Sequence, residues 1–106
     1  MKKEFHHIGV PTKNPQPNEI YLEGAKLYVT DANAAPNRIE MLRFEPGSPL
    51  PEILKTTAHV AYVVDNLDAA LAGQRVILPP FVPMPGVKVA FIQDGEVPVE
   101  FMEISK

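Results

Sequence analysis

The sequence reads as an α+β chain built from two β-rich modules, and three observations lead there. Short stretches rich in β-branched and aromatic residues recur along it, separated by turns that contain proline or glycine. One segment, Asp65 to Gly73, carries a helical pattern between two such stretches. Two short signatures also occur twice in the same order: His7-Ile-Gly then Ile39-Glu40-Met-Leu, and His59-Val-Ala then Val99-Glu100-Phe-Met. An internal repeat of one structural unit is the economical reading of that pattern.

The elements follow in order. Phe5–Val10 alternates and has no helix cap, so it is expected as a first strand. Pro11, Pro15 and Pro17 forbid a regular helix between Pro11 and Asn18. Ile20–Thr30 reads as one long strand kinked at Gly24, Asp31–Asn37 as a turn cluster, and Arg38–Phe44 as another strand. Glu45–Pro51 closes the first module, which runs from about residue 4 to 48 of a single domain spanning 1–106.

The second module, about 56–105, opens on the apolar strand Thr56–Val64. Asp65 is expected to cap a short helix at Leu67–Ala72 that stops at Gly73. Arg75–Leu78 resumes as strand, and Pro79–Pro85 is extended. Pro85-Gly86 suits the centre of a type II turn, and Val87–Ile92 with Val97–Ile104 a hairpin around Asp94-Gly95. Pro98, lying within that hairpin, predicts a bulge.

Composition narrows the function. The 45% hydrophobic and 22% charged shares are those of an ordinary globular chain. The formal charge is −3 with no basic block, which argues against nucleic acid and against docking on anionic membranes. No apolar run approaches a membrane span, and the start, MKKEFHHIG, lacks the apolar core of a signal peptide, so a cytoplasmic setting is the expectation. With no cysteine, any metal ion must be held by nitrogen and oxygen.

Four residues then stand out. Alternation puts His7 on a face with Phe5 and Gly9, Glu40 with Leu42, and Glu100 with Met102 and Ile104. An imidazole or carboxylate among small and apolar neighbours needs a partner, because burying it unpaired is costly. A lone strand histidine is usually packed or superficial, and a lone glutamate near a strand end is usually solvated. The doubled pattern favours His7, Glu40, His59 and Glu100 as holders of one divalent ion, with zinc, nickel, cobalt, manganese or iron all compatible. His6 competes with His7, but the match of His7-Ile-Gly to His59-Val-Ala selects His7, which leaves His6 on the opposite face at the surface. Glu103, also opposite Glu100, reads as solvated.

These residues carry a resemblance. The run from His59 through Asp65 to Leu71, then Pro85-Gly86-Val87, Asp94-Gly95 and Val99-Glu100-Phe-Met-Glu-Ile, resembles the second βαβββ module of the vicinal-oxygen-chelate superfamily. That superfamily includes glyoxalase I, bleomycin resistance proteins and extradiol dioxygenases. Phe5-His-His-Ile-Gly-Val and Arg38-Ile-Glu-Met-Leu resemble the start and end of its first module, with that module's helix missing. The resemblance implies a curved mixed sheet around a metal pocket, with His7, Glu40, His59 and Glu100 at the four ligand positions. It also implies a lyase or epimerase that abstracts a proton next to a carbonyl through a metal-held enediolate, Glu100 serving as base and Glu40 as its counterpart. The partner would be a small molecule with adjacent oxygens. The alternative is a drug-sequestering binding protein of the same fold; a dioxygenase ranks last, because such enzymes are usually much longer. A homodimer is expected, since the missing helix leaves one face of the first sheet uncovered.

Overall fold

The computed structural model describes residues 2–105. Eight strands form one curved mixed sheet: β1 (Lys3–Pro11), β2 (Ile20–Leu22), β3 (Leu27–Val29), β4 (Ile39–Phe44), β5 (His59–Val64), β6 (Val76–Met84), β7 (Val87–Asp94) and β8 (Val97–Ile104). Two short helices accompany them, α1 (Glu52–Thr56) and α2 (Leu67–Leu71). The class is α+β.

The strand order β2-β3-β4-β1-β5-β8-β7-β6 shows the repeat directly. Read outward from the central β1–β5 pair, each half runs parallel neighbour, antiparallel neighbour, edge. β1 pairs in parallel with β4, and β5 in parallel with β8. The registers correspond: Gly9, two residues beyond His7, lies opposite Glu40, and Ala61, two beyond His59, lies opposite Glu100. The halves join by antiparallel pairing of β1 with β5.

Both edges are of kinds that resist further pairing. β2 has three residues, and β6 carries Pro79, Pro80 and Pro83, whose missing N–H groups are tolerated at an edge. Arg75–Leu78 and the proline stretch are therefore one irregular strand, with register shifts against β7. At its end Gly86 has φ +81°, as the third position of a type II turn requires.

The two faces of the sheet are packed differently. On the convex face of the second half, α2 seats Leu67 and Ala70 on Val64, Ala90, Ile92, Val99 and Phe101. On the concave face, α1 brings Leu54 against Ala61, Val89, Phe91 and Met102 and plugs one end of the curve. No helix occupies Thr12–Glu19, as the prolines require. None of the described helices is long and apolar enough to cross a membrane.

Several expectations are corrected. Ile20–Thr30 is not one kinked strand but a hairpin: β2 and β3 pair antiparallel through a 3-10 turn at Glu23–Ala25, closed by Lys26 at φ +49°. The reversal puts Ile20 and Leu22 on the concave side with Leu27 and Val29, and Tyr21 beside Tyr28 on the other. Helix α1 has no counterpart in the sequence reading, which passed over a single turn between Pro51 and Thr57; β5 accordingly begins at His59, not Thr56. Asn66, not Asp65, caps α2, accepting from the Ala69 N–H at 2.9 Å. Glu103 is not simply solvated, since it accepts from the Leu67 N–H at 2.7 Å.

Pro98 causes no bulge. β7 and β8 stay in continuous register from Val87↔Ile104 to Asp94↔Val97, and pairing with β5 begins only at Val99, so no ladder bond needs the Pro98 nitrogen. The bulge lies in β1 instead. Phe5 is opposite Tyr62 and His7 opposite Ala61, which makes His6 the extra residue. Phe5 and His7 thus face opposite sides: Phe5 packs edge-on to Tyr62 on the convex face, and His7 is buried on the concave one.

Candidate metal centre

The repeat brings one imidazole and one carboxylate from each half to the middle of the concave face. His7 and His59, on the two central strands, are buried with ring centroids 5.6 Å apart. Glu40 and Glu100 come from the parallel strands on either side. His7 Nε2 lies 3.2 Å from Glu40 Oε1 and 3.3 Å from Glu100 Oε1, and His59 Nε2 lies 3.0 Å from Glu100 Oε1. All four side chains meet.

Small residues make the space. Gly9 lies opposite His59, and a Cβ built on it would fall 2.1 Å from His59 Cε1. The imidazole therefore lies directly over a backbone that must lack a side chain. Ala61 stands opposite His7 in the same way. On its other edge His59 meets Phe91 edge-to-face at 5.0 Å.

His6 was missed as part of the site. The bulge turns it inward rather than to the surface, where it lines the same cavity and its Nδ1 lies 2.7 Å from His7 Nδ1. Arg38 holds this kink: its Nε–H donates to the His6 carbonyl, and Nη2–H to Asn33. Adjacent histidines in an alternating strand gave no signal of an extra residue, and the arginine bears on the site through a backbone carbonyl. Arg43 is occupied elsewhere, bonded through two nitrogens to Glu19 and set over the Tyr28 ring.

The charges are strongly coupled. Burial would lower the His7 pKa, but the Glu100 and Glu40 carboxylates outweigh it and raise it to about 9. Burial would raise Glu100, but His59 and His7 outweigh it and hold the carboxyl at about 2. His6 is lowered by burial first, then by His7 and Arg38. A charged His7 has protons on both nitrogens, so its Nδ1–H donates and neutral His6 accepts.

The donor set suits a metal ion. One nitrogen of each of His7 and His59 and one oxygen of Glu40 lie within 4.8 Å of one another, so this trio can hold an ion. His7 Nε2 also stands out among the described residues: it is buried and close to two carboxylates, yet aligned for a hydrogen bond to neither.

The centre opens into a cavity of about 340 Å³. Leu27, Leu42, Phe44, Val89, Phe91 and Met102 line its walls, as do Phe81 and Met84, while Tyr62 packs on the convex face with the α2 cluster.

No protein-family model and no curated protein sequence matches the chain. Among solved structures it is similar to a hypothetical protein from Bacillus halodurans C-125, at 17% identity over 100% of this chain and 97% of that one, with a TM-score of 0.75. It is also similar to methylmalonyl-CoA epimerase from Mycobacterium tuberculosis, at 15% identity over 97% of this chain and 89% of that one, with a TM-score of 0.65. At these identities the likeness is one of fold alone.

Two predictions follow from this geometry. Gly9→Ala should displace His59, costing about 1–3 kcal/mol of stability as overpacking does and breaking its bond to Glu100; an unchanged His59 imidazole NMR signal would contradict the packing. The second concerns pH in chelator-treated protein. His7 titrates above its ordinary 6.5 when folded, so its contribution is complete below pH 6.5 and lost as pH rises toward about 9. Glu100 titrates below its ordinary 4.5, so its contribution is complete above pH 4.5 and lost as pH falls toward about 2. Melting temperature should therefore decline on the alkaline side, and His7→Gln should flatten that decline; equal slopes in both proteins would refute the coupling.

Proposed function

We propose that the chain is a metal-dependent lyase or epimerase that removes a proton next to a carbonyl, with His7, Glu40, His59 and Glu100 holding one divalent ion. The observation that carries this reading is the meeting of the four buried or half-buried side chains around His7 Nε2. When bound, the ion supplies Lewis-acid polarisation of a carbonyl oxygen; zinc, nickel, cobalt, manganese and iron all fit the donor set.

The protein's own groups do the rest. His59 and His7 orient the Glu100 carboxylate, and His6 behind His7 accepts the Nδ1 proton, which keeps Nε2 directed into the cluster. Glu40 and Glu100 approach His7 Nε2 from opposite halves of the sheet. Two carboxylates flanking one position suit removal of a proton by one group and its return by the other. Glu100 is the assigned base and Glu40 its counterpart. The apolar walls exclude water from the α-carbon.

A second reading, a non-catalytic small-molecule binding protein, is favoured by the large apolar share of the same cavity. We also propose a homodimer, supported by Tyr21 and Ile39, exposed on the convex face of the first half, where none of the described helices packs; sedimentation as a monomer at micromolar concentration would count against it.

The enzyme reading is tested by exchange of an activated α-proton with deuterated solvent, across a screen of carbonyl compounds. Glu100→Gln should retain part of the metal while exchange falls by about a hundredfold or more, the usual scale for a general base. His59→Ala should lose metal and exchange together. Glu103→Gln, on the convex face, should change neither. Equal exchange in Glu100→Gln and Glu103→Gln would remove the assignment of Glu100.

A further inference from the structure

The cavity is polar at one end alone. Three histidines, Glu40, Glu100, Asp31, Asn33 and Thr30 gather there, while the walls are aliphatic and aromatic. The mouth is apolar too: Ile20, Met84 and Ile104 line it and are 49%, 38% and 42% exposed. Among the described residues no lysine or arginine lines the cavity. Arg38 is bonded to the His6 carbonyl and Asn33, and Arg43 to Glu19. Among the described residues of the lining, a ligand carrying phosphates or carboxylates on its tail would find no lysine or arginine to pair with and three carboxylates nearby. It would also lose hydration against the apolar mouth, a cost that nothing there offsets.

We propose that the cavity takes a compact, uncharged carbonyl compound, with two adjacent oxygens at the His/Glu end and an aliphatic or aromatic body along the apolar walls. This deepens the metalloenzyme reading and rests on it for the placing of the oxygens. The volume agrees: about 340 Å³ is at the small end of ligand cavities. A coenzyme A carrier exceeds that space and would have to lie outside, where the apolar mouth offers its phosphates no seat. An uncharged ligand also accounts for the gathering of the polar groups in one patch: they meet the oxygens, and the remainder of the ligand requires only burial.

The test is isothermal titration of the zinc-loaded protein with acetylbenzoyl, a neutral aryl vicinal diketone, and with its para-carboxylate. A short acyl group is compared in parallel as its coenzyme A and its ethanethiol thioester. The neutral diketone should bind about tenfold or more tightly than the carboxylate, a difference of about 1.4 kcal/mol or more, and the coenzyme A carrier should add no affinity. Ile104→Arg and Met84→Arg, both at exposed positions of the mouth, should tighten the carboxylate relative to acetylbenzoyl by up to about fivefold, as one solvated ion pair does. Tighter binding of the carboxylate or the coenzyme A ester by the unmodified protein overturns the inference, as does binding of no member of the series. Failure of the metalloenzyme reading shows separately, as absent zinc uptake in a titration without organic ligand. The charge preference is also measured in chelator-treated protein, so only the ligand series can overturn it.

Discussion

The site depends on how β1 and β5 are paired. They run antiparallel with Gly9 opposite His59 and Ala61 opposite His7, so each histidine lies across from the small residue two places beyond the other histidine. That arrangement clears room for two imidazoles at the centre of a sheet, where a side chain on residue 9 would collide with the His59 ring. The parallel strands then add one glutamate each in matching register. A one-residue slip of β1 against β5 would turn one of the two histidines away from the other and take the cluster apart.

The same pairing sets an electrostatic condition. Imidazoles and a carboxylate buried together cannot all be left without partners, since desolvation of unpaired charge is costly. The pKa of His7 moves up and that of Glu100 moves down because each stabilises the other's charged form against burial. A metal ion held by this cluster would therefore compete with the proton for one position, His7 Nε2. The surrounding fold leaves that position beside apolar walls: α1 packs Leu54 against Ala61, Val89, Phe91 and Met102, and no lysine or arginine lines the cavity among the described residues.

Much of this was legible in the amino-acid sequence, for a physical reason. Repeated registers leave repeated spacings, so His-x-Gly and His-x-Ala marked the two central strands, and Ile-Glu-Met and Val-Glu-Phe their parallel neighbours. The helix at Leu67–Leu71 and the Val87–Ile104 hairpin were visible through periodicity and turn residues. What escaped were features set by a single backbone event. The bulge at His6 reverses Phe5 and draws His6 into the cavity, yet His-His within an alternating run has no pattern to betray it. The turn at Glu23–Ala25 is closed by a lysine at positive φ rather than by a glycine, so one kinked strand and a hairpin looked alike. Pro98 suggested a bulge, because a proline's missing N–H matters only where a partner strand waits, and alternation alone does not tell where β5 begins.

The central claim is that His7, Glu40, His59 and Glu100 together hold a metal ion. Elemental analysis of the protein purified without an affinity tag tests it most directly. The account predicts a transition metal near one equivalent per chain, lost on replacing His7 and His59 together with alanine while the fold, judged by circular dichroism, persists. Protein that stays metal-free after incubation with zinc, nickel, cobalt, manganese and ferrous iron in turn would contradict it.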